Sequence, residues 1–354
     1  MTDINGTAPV EILSLLPDEL ASLPALKGEP PYRGQQVFSW IHEARVYDFL
    51  SMTNLSMALR QQLATDLTIF SRQPVEIQDS RDGSRKLIFE TPEGDHYSAV
   101  LMPSPERNTL CISSQVGCRM NCGFCMTARL GFKRNLTAAE IIGQIHAGAA
   151  LLEPPARVSN VVFMGMGEPL DNFDEVLKAV RVITHRKGLK VAPRRTTIST
   201  VGLIDRVADF VAKDTGASIA LSLCATTDEA RNRIVPQGRR YGLEDLIGGL
   251  ARIRLAHGHV FTIEYMLIKG VGDSLADARR LSAMASRFPS KINLIPFNPW
   301  PGSPFERPTP EAIETFRQFL ESRNHTVTVR MSRGQDIGAA CGQLDGCKTG
   351  PNDL

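Results

Sequence analysis

Along the second half of the chain, short apolar, β-branched runs alternate with longer stretches in which apolar residues recur every three or four positions. The short runs are TLCISS, SNVVFMG, RTTISTVG, ASIALSLC, FTIEYMLI, KINLIPF and TVTVRMS. Between them lie AAEIIGQIHAGAALL, FDEVLKAVRVITHR, LIDRVADFVAK, LEDLIGGLARIRLAHG, LADARRLSAMASRF and PEAIETFRQFLESRN. The first pattern predicts strands and the second amphipathic helices. Strict alternation of the two predicts parallel strands joined by right-handed crossovers. Runs apolar on both faces, such as SNVVFMG, suit a sheet covered on both sides or curled into a barrel.

Before residue 106 the rhythm differs. PPYRGQQVFSWIHEARVYDFLSMTNLSMALRQQLATDL carries helical periodicity, with Val37, Trp40 and Ile41 spaced i, i+3, i+4. KLIFETPEGDHYSAVLMP reads as two strands around a Pro-Glu-Gly-Asp turn. The expected organisation is a helical accessory domain plus hairpin over residues 1–105, then an α/β partial barrel over 106–354.

In such a barrel the chemistry sits where the strands end, and the unusual residues fall there. GCRMNCGFCMT (117–127) follows the first strand and holds Cys118, Cys122 and Cys125. GMGEPL (165–170) follows the second, STVG (199–202) the third, and LCATTDEAR (223–231) the fourth. KGVGD, PFNPWPGSPF (296–305) and RGQDIGAACGQL (333–344) follow the last three. One mouth would collect them all, which favours an enzyme over a scaffold.

Composition sharpens this picture in a few places. Hydrophobic residues are 42% of 354, enough for a large core. The start, MTDINGTAPVEILSL, lacks a signal-peptide pattern, and no apolar run approaches the roughly 20 residues of a membrane span. A soluble, cytoplasmic protein is expected, and in a reducing compartment seven cysteines point to metal or catalysis rather than a disulfide framework. Net charge is +2, but residues 1–105 carry 8 basic and 14 acidic side chains and the remainder 32 and 24. The basic larger part permits a nucleic-acid partner. HRKGLKVAPRR (185–195), Arg239 and Arg240 are candidate phosphate contacts or simply solvated surface.

Three clustered cysteines leave one ligand short for tetrahedral zinc, so a distant histidine would have to complete such a site. The C-x3-C-x2-C spacing, with Phe124 before the last cysteine, resembles the signature of the radical S-adenosylmethionine (SAM) superfamily. That resemblance implies a four-iron, four-sulfur cluster on Cys118, Cys122 and Cys125, with SAM on the fourth iron. GMGEPL resembles the superfamily motif that meets the SAM amino group. Its glycines permit close backbone approach, and Glu168 offers an anion to an ammonium.

TLCISSQVGC, GMGEPL, RRTTISTVG, PFNPW, DIGAACGQL and PPYRGQQVFSWI together resemble, from about residue 27 to 344, a family of radical-SAM RNA methyltransferases. These enzymes methylate carbon 2 of adenine in 23S ribosomal RNA and in some tRNAs; a related branch methylates carbon 8. The resemblance implies that Cys341 takes a methyl from one SAM. A radical made from a second SAM then removes hydrogen from that methyl, and the resulting methylene adds to the adenine. It also implies that Cys111 resolves the RNA adduct by a transient disulfide with Cys341. The implied SAM contacts are Gly167, Glu168, Ser199, Ser222, Leu223, Cys224 and Asn298. The implied electron donor is of flavodoxin type, and the protein is expected to act as a monomer. Cys347 receives no role.

Two positions depart from the family. Ser98 stands thirteen residues before Cys111, where the family carries a glutamate assigned as proton acceptor, and Cys224 stands where the family commonly has histidine. These mark a divergent member that uses another base, or water, or acts on another RNA. Two competing readings remain: another radical-SAM enzyme, such as a glycyl-radical activator, and a non-enzymatic RNA-binding protein with a structural metal.

Overall fold

The computed structural model describes residues 9–70, 72–236 and 240–345; Cys347 and Arg239 lie outside them. Each of the seven apolar runs contains a strand: β6 (Thr109–Cys111), β9 (Asn160–Phe163), β10 (Thr196–Thr200), β11 (Ser218–Ser222), β12 (Phe261–Leu267), β13 (Ser290–Pro296) and β14 (Val327–Val329). They pair in parallel in that order. The intervening periodic stretches form α4 (Ala138–Ala150), α5 (Phe173–Thr184), α6 (Ile204–Ala212), α8 (Leu243–Arg252), α9 (Leu275–Ala285) and α10 (Pro310–Ser322). A further short helix, α7 (Asp228–Ile234), begins inside LCATTDEAR and runs three residues beyond it, capped by the Thr227 hydroxyl.

The curled sheet does not close. A closed barrel would need β14 to pair with β6, but that side of β6 is taken. The hairpin β4 (Arg85–Glu90) and β5 (His96–Met102) joins it antiparallel through β5, and β3 (Glu76–Asp79) adds an edge beyond β4. The result is one open sheet of ten strands, with the hairpin as its continuation. Registers of Val100 with Cys111, Ser222 with Glu264, and Glu264 with Asn293 bring the side chains of the mouth to one level.

The N-terminal helices α1 (Pro17–Ala21), α2 (Tyr32–His42) and α3 (Met57–Asp66) bury Val37 and Ile41 as the periodicity predicts. Trp40 is half-buried, and its indole N–H donates to Asn54 Oδ1 at 2.6 Å. Two short strands, β1 (Val10–Glu11) and β2 (Leu67–Thr68), tie the ends of this unit together. The basic stretch 185–195 runs across it: Gly188 abuts Phe38, and Lys190 pairs with Glu43. Arg186, Lys187, Arg194 and Arg195 remain exposed.

Between α2 and α4 sits a buried polar cluster. His42 Nδ1 lies 3.0 Å from His146 Nε2, and the Tyr47 hydroxyl lies 2.8 Å from His146 Nδ1. Burial pushes His146 down to about 3 and His42 well below the usual histidine value. Unfolded, both rings would protonate near the ordinary histidine pKa, about 6.5. Their contribution to stability is therefore whole above about pH 6.5 and is lost on acidification, at up to about 1.4 kcal/mol per pH unit for each ring. Thermal melts from neutral pH to about pH 5 should show this slope, and His146→Phe should flatten it. A wild-type melting temperature indifferent to pH over that range would contradict the assignment.

Candidate active site

The cysteine loop is closed at its base by a two-stranded ribbon, β7 (Gln115–Gly117) with β8 (Phe132–Asn135). Gly117 has φ +70°, and a Cβ there would lie 1.7 Å from the Gly131 carbonyl oxygen, so only glycine fits. The loop is then pinned from three sides. Gly123 N–H donates to the Ile234 carbonyl at 2.8 Å, the Trp300 indole to the Phe124 carbonyl at 3.1 Å, and Met126 N–H to the Gly342 carbonyl at 2.7 Å. Phe124 sinks into an apolar cluster with Ile234, Val235, Met266, Ile295 and Phe297.

Cys118, Cys122 and Cys125 line one cavity. Burial pushes the Cys118 thiol up to about 12 and raises the other two. Thiols so placed ionise only against a bound cation. Among the described residues, no three His, Cys, Asp or Glu side chains converge to hold a single ion. An iron–sulfur cluster asks for thiolates spread around a cube. The donor set therefore fits a cluster, and the rest of the cavity leaves room for a ligand on its open side.

The opposite wall contains Gly165, Gly167 and Glu168. A Cβ on Gly165 would lie 2.7 Å from the Ile112 backbone; one on Gly167, at φ +99°, would lie 2.5 Å from Gln115. Glu168 is buried, with Oε1 accepting from Leu170 N–H at 3.1 Å and Oε2 from Val201 N–H at 2.9 Å. Burial nevertheless raises its pKa to about 7, because no cation accompanies it. An incoming ammonium would supply that missing charge.

Ser199, Ser222 and Cys224 line the same cavity, and the two serine hydroxyls lie 3.2 Å apart. Cys224 adopts φ +63°, which turns the backbone at the strand end. The other two expected contacts sit elsewhere. Leu223 is fully buried outside the lining, its N–H donating to the Glu264 carbonyl at 3.0 Å. The Asn298 amide donates to the Cys341 carbonyl at 3.0 Å, and its oxygen accepts from the Ser332 hydroxyl at 2.5 Å. KGVGD is a structural turn: the Tyr265 hydroxyl donates to the Gly272 carbonyl at 2.8 Å.

Cys341 stands in the partition between this cavity and a second, larger one, which contains Cys111; Met164, Glu264 and Ile295 share that partition. Burial pushes Cys111 up to about 12 and Cys341 to about 11, and Arg330 pulls both the other way. Arg330 lines the second cavity, and its guanidinium donates to the Met164 thioether at 3.0 Å. Burial would lower its pKa, but Cys341, Glu264 and Cys111 more than offset that. Ser98 is buried on β5, and its hydroxyl has no hydrogen-bond partner among the described residues.

The Cys341 loop is moored to the β3–β4 turn. Asp82 accepts from Gly334 N–H at 2.7 Å, Asp336 accepts from the Ser80 hydroxyl at 2.5 Å, and Arg333 donates to the carbonyls of Asp82 and Pro103 at 2.7 Å each. Lys86, 1% exposed, pairs with Asp345 at 3.1 Å. The Thr127 hydroxyl, next to the cysteine triplet, donates to the Leu344 carbonyl at 2.5 Å. Sequence reasoning passed over Lys86, Glu264 and Arg330. For the last two the signal was a single charge inside an apolar strand, in FTIEYMLI and TVTVRMS.

Comparison with known proteins accords with this arrangement. Residues 10–69 match the ribosomal RNA large subunit methyltransferase N-terminal domain, and residues 112–281 match the radical SAM superfamily. The dual-specificity RNA methyltransferase RlmN of Geobacter sulfurreducens is 44% identical over 337 residues, covering 95% of this chain and 92% of that protein. The RlmN of Halorhodospira halophila is 43% identical over 341 residues, covering 96% and 94%. The crystal structure of a radical SAM methyltransferase from Sphaerobacter thermophilus superposes with a TM-score of 0.89 at 40% identity, covering 96% of this chain and all of that one. With that identity sustained over nearly its whole length, the chain belongs to the RlmN family of radical-SAM RNA methyltransferases.

Proposed function

We propose that this enzyme methylates an adenine carbon, carbon 2, in 23S ribosomal RNA and in tRNA, by way of a methyl group carried on Cys341. The observation that supports this is the position of Cys341, between the cavity of the cysteine triplet and the cavity of Cys111. Bound there, the cluster and SAM would supply a methyl donor and a one-electron source. Cys118, Cys122 and Cys125 hold the cluster. Glu168 faces the SAM ammonium, while Ser199, Ser222 and the backbone at Cys224 and Gly167 orient the rest. Asn298 acts from the other side by fixing the backbone of Cys341.

The Cys341 thiolate, stabilised by Arg330, forms a bond to the methyl carbon as the sulfonium S–CH3 bond breaks. After the carbon has been joined to the base, the Cys111 thiolate attacks Cys341 Sγ; the S–S bond forms as the Cys341 S–C bond breaks, the electron pair leaves on the carbon, and a proton completes the methyl group. The unit of residues 1–105, with the exposed arginines of 185–195, contacts RNA phosphates. An electron carrier of flavodoxin type reduces the cluster, and the enzyme works in the cytoplasm as a monomer.

The test is the mass of the Cys341 peptide from protein carrying its cluster, digested under reducing conditions. The peptide is expected to carry one added methyl group. An unmodified Cys341 in cluster-loaded protein would remove the basis of the reading.

A further inference from the structure

Attaching a carbon at a ring position that bears hydrogen leaves that hydrogen to be shed as a proton. A group beside Cys341 has to accept it. Ser98 is a neutral hydroxyl with nothing to activate it. Glu168 lines only the cavity of the cysteine triplet, and its two oxygens are occupied by backbone N–H groups. Among the described residues, the cavity that contains both Cys111 and Cys341 is lined by a single carboxylate, that of Glu264.

Glu264 sits in the middle of β12 and is 4% exposed. Its Oε2 accepts from the Ser199 hydroxyl at 3.1 Å and its Oε1 from the Asn293 amide at 3.4 Å. Both donors are neutral, so each oxygen keeps a lone pair free. No cation among the described residues lies within ion-pair distance of it. The other charged side chains around the same cavity, Arg107, Lys291, Arg330 and Arg333, are all basic.

We propose that Glu264 is the proton acceptor for the ring carbon joined to Cys341, in place of a base at position 98. This rests on the methylation reading above. In the covalent adduct, which forms by radical addition and so holds one unpaired electron, the ring C–H bond breaks, its proton passes to a Glu264 oxygen and its electron pair stays in the purine ring, while the unpaired electron would return to the one-electron source that the cluster supplies. The base thus comes from the middle of β12 rather than from the hairpin strand.

The test uses the full, cluster-loaded chain and unmodified ribosomal and transfer RNA. Glutamine at 264 keeps the hydrogen bond from Ser199 and the volume but cannot accept a proton. In Glu264→Gln, the Cys341 peptide is expected to carry its methyl as in wild type. Methyladenine is expected to fall at least about a hundredfold, and an RNA–protein crosslink through Cys341 should build up that withstands denaturant. Glu264→Asp should show less crosslink and more product than Glu264→Gln, and it carries the test alone if the glutamine variant fails to load its cluster. Product formation by Glu264→Gln within about threefold of wild type would overturn the proposal. So would loss of the Cys341 methyl in both variants, which would place Glu264 in the SAM cradle instead. Wild-type protein lacking both the Cys341 methyl and methyladenine would sink the methylation reading itself, whatever the variants do.

Discussion

Cys341→Ala is expected to lower RNA methylation by at least about a thousandfold, while iron content and reductive SAM cleavage stay near wild type. The side chain lost is the one group in the partition able to carry a carbon from one cavity to the other. Its backbone is held independently, by Asn298 on its carbonyl and by Met126 N–H on the carbonyl of Gly342. The loop should therefore keep its place without the thiol, which separates lost chemistry from lost structure. The measurements are methyladenine in digested RNA and 5′-deoxyadenosine released under reduction. Methyl transfer surviving in Cys341→Ala would exclude a carrier role. Cleavage lost together with methylation would show instead that the substitution damaged the cluster pocket. An activator of another enzyme has no use for this thiol and predicts no effect on its own reaction.

Cys122→Ala should have the complementary outcome. Iron and sulfide, about four of each per chain in the wild type, are expected to drop to near nothing, and SAM cleavage and the Cys341 methyl to vanish with them. Cys122 lies at the centre of the triplet, and its thiol is 7% exposed. Two remaining thiols are too few to retain a cluster whose fourth corner must stay open. The fold should persist, because the loop is fastened by Gly123, Phe124 and Met126 through bonds that need no metal. Wild-type protein holding zinc without sulfide would overturn the assignment before any variant is made.

The strand–helix alternation was legible because each run is short and rich in β-branched and apolar residues and each helix carries its own stripe. The triplet and the GMGEPL turn were legible because their chemistry is local, within a few residues. What could not be read is long-range. Lys86 sits in RKLIFE, where alternation makes a lysine look like the solvent side of a hairpin; it is buried by Asp345, 259 residues away. The barrel stays open because β5 occupies the free side of β6, which the hairpin pattern by itself could not indicate. Asn298 fits the family motif by position, yet its amide is spent on the Cys341 backbone, a contact set by the C-terminal loop.

The mooring of that loop also sets an order of events. Its bonds to the β3–β4 turn and to Lys86 on β4 span 251 to 259 of the chain's 354 residues. Contacts so distant in sequence close late, after local pairings have reduced the entropy of the intervening chain. During synthesis they cannot form until the last strand has left the ribosome. Cys341 is thus among the last parts of the site to be put in place, on a sheet whose strands are already paired.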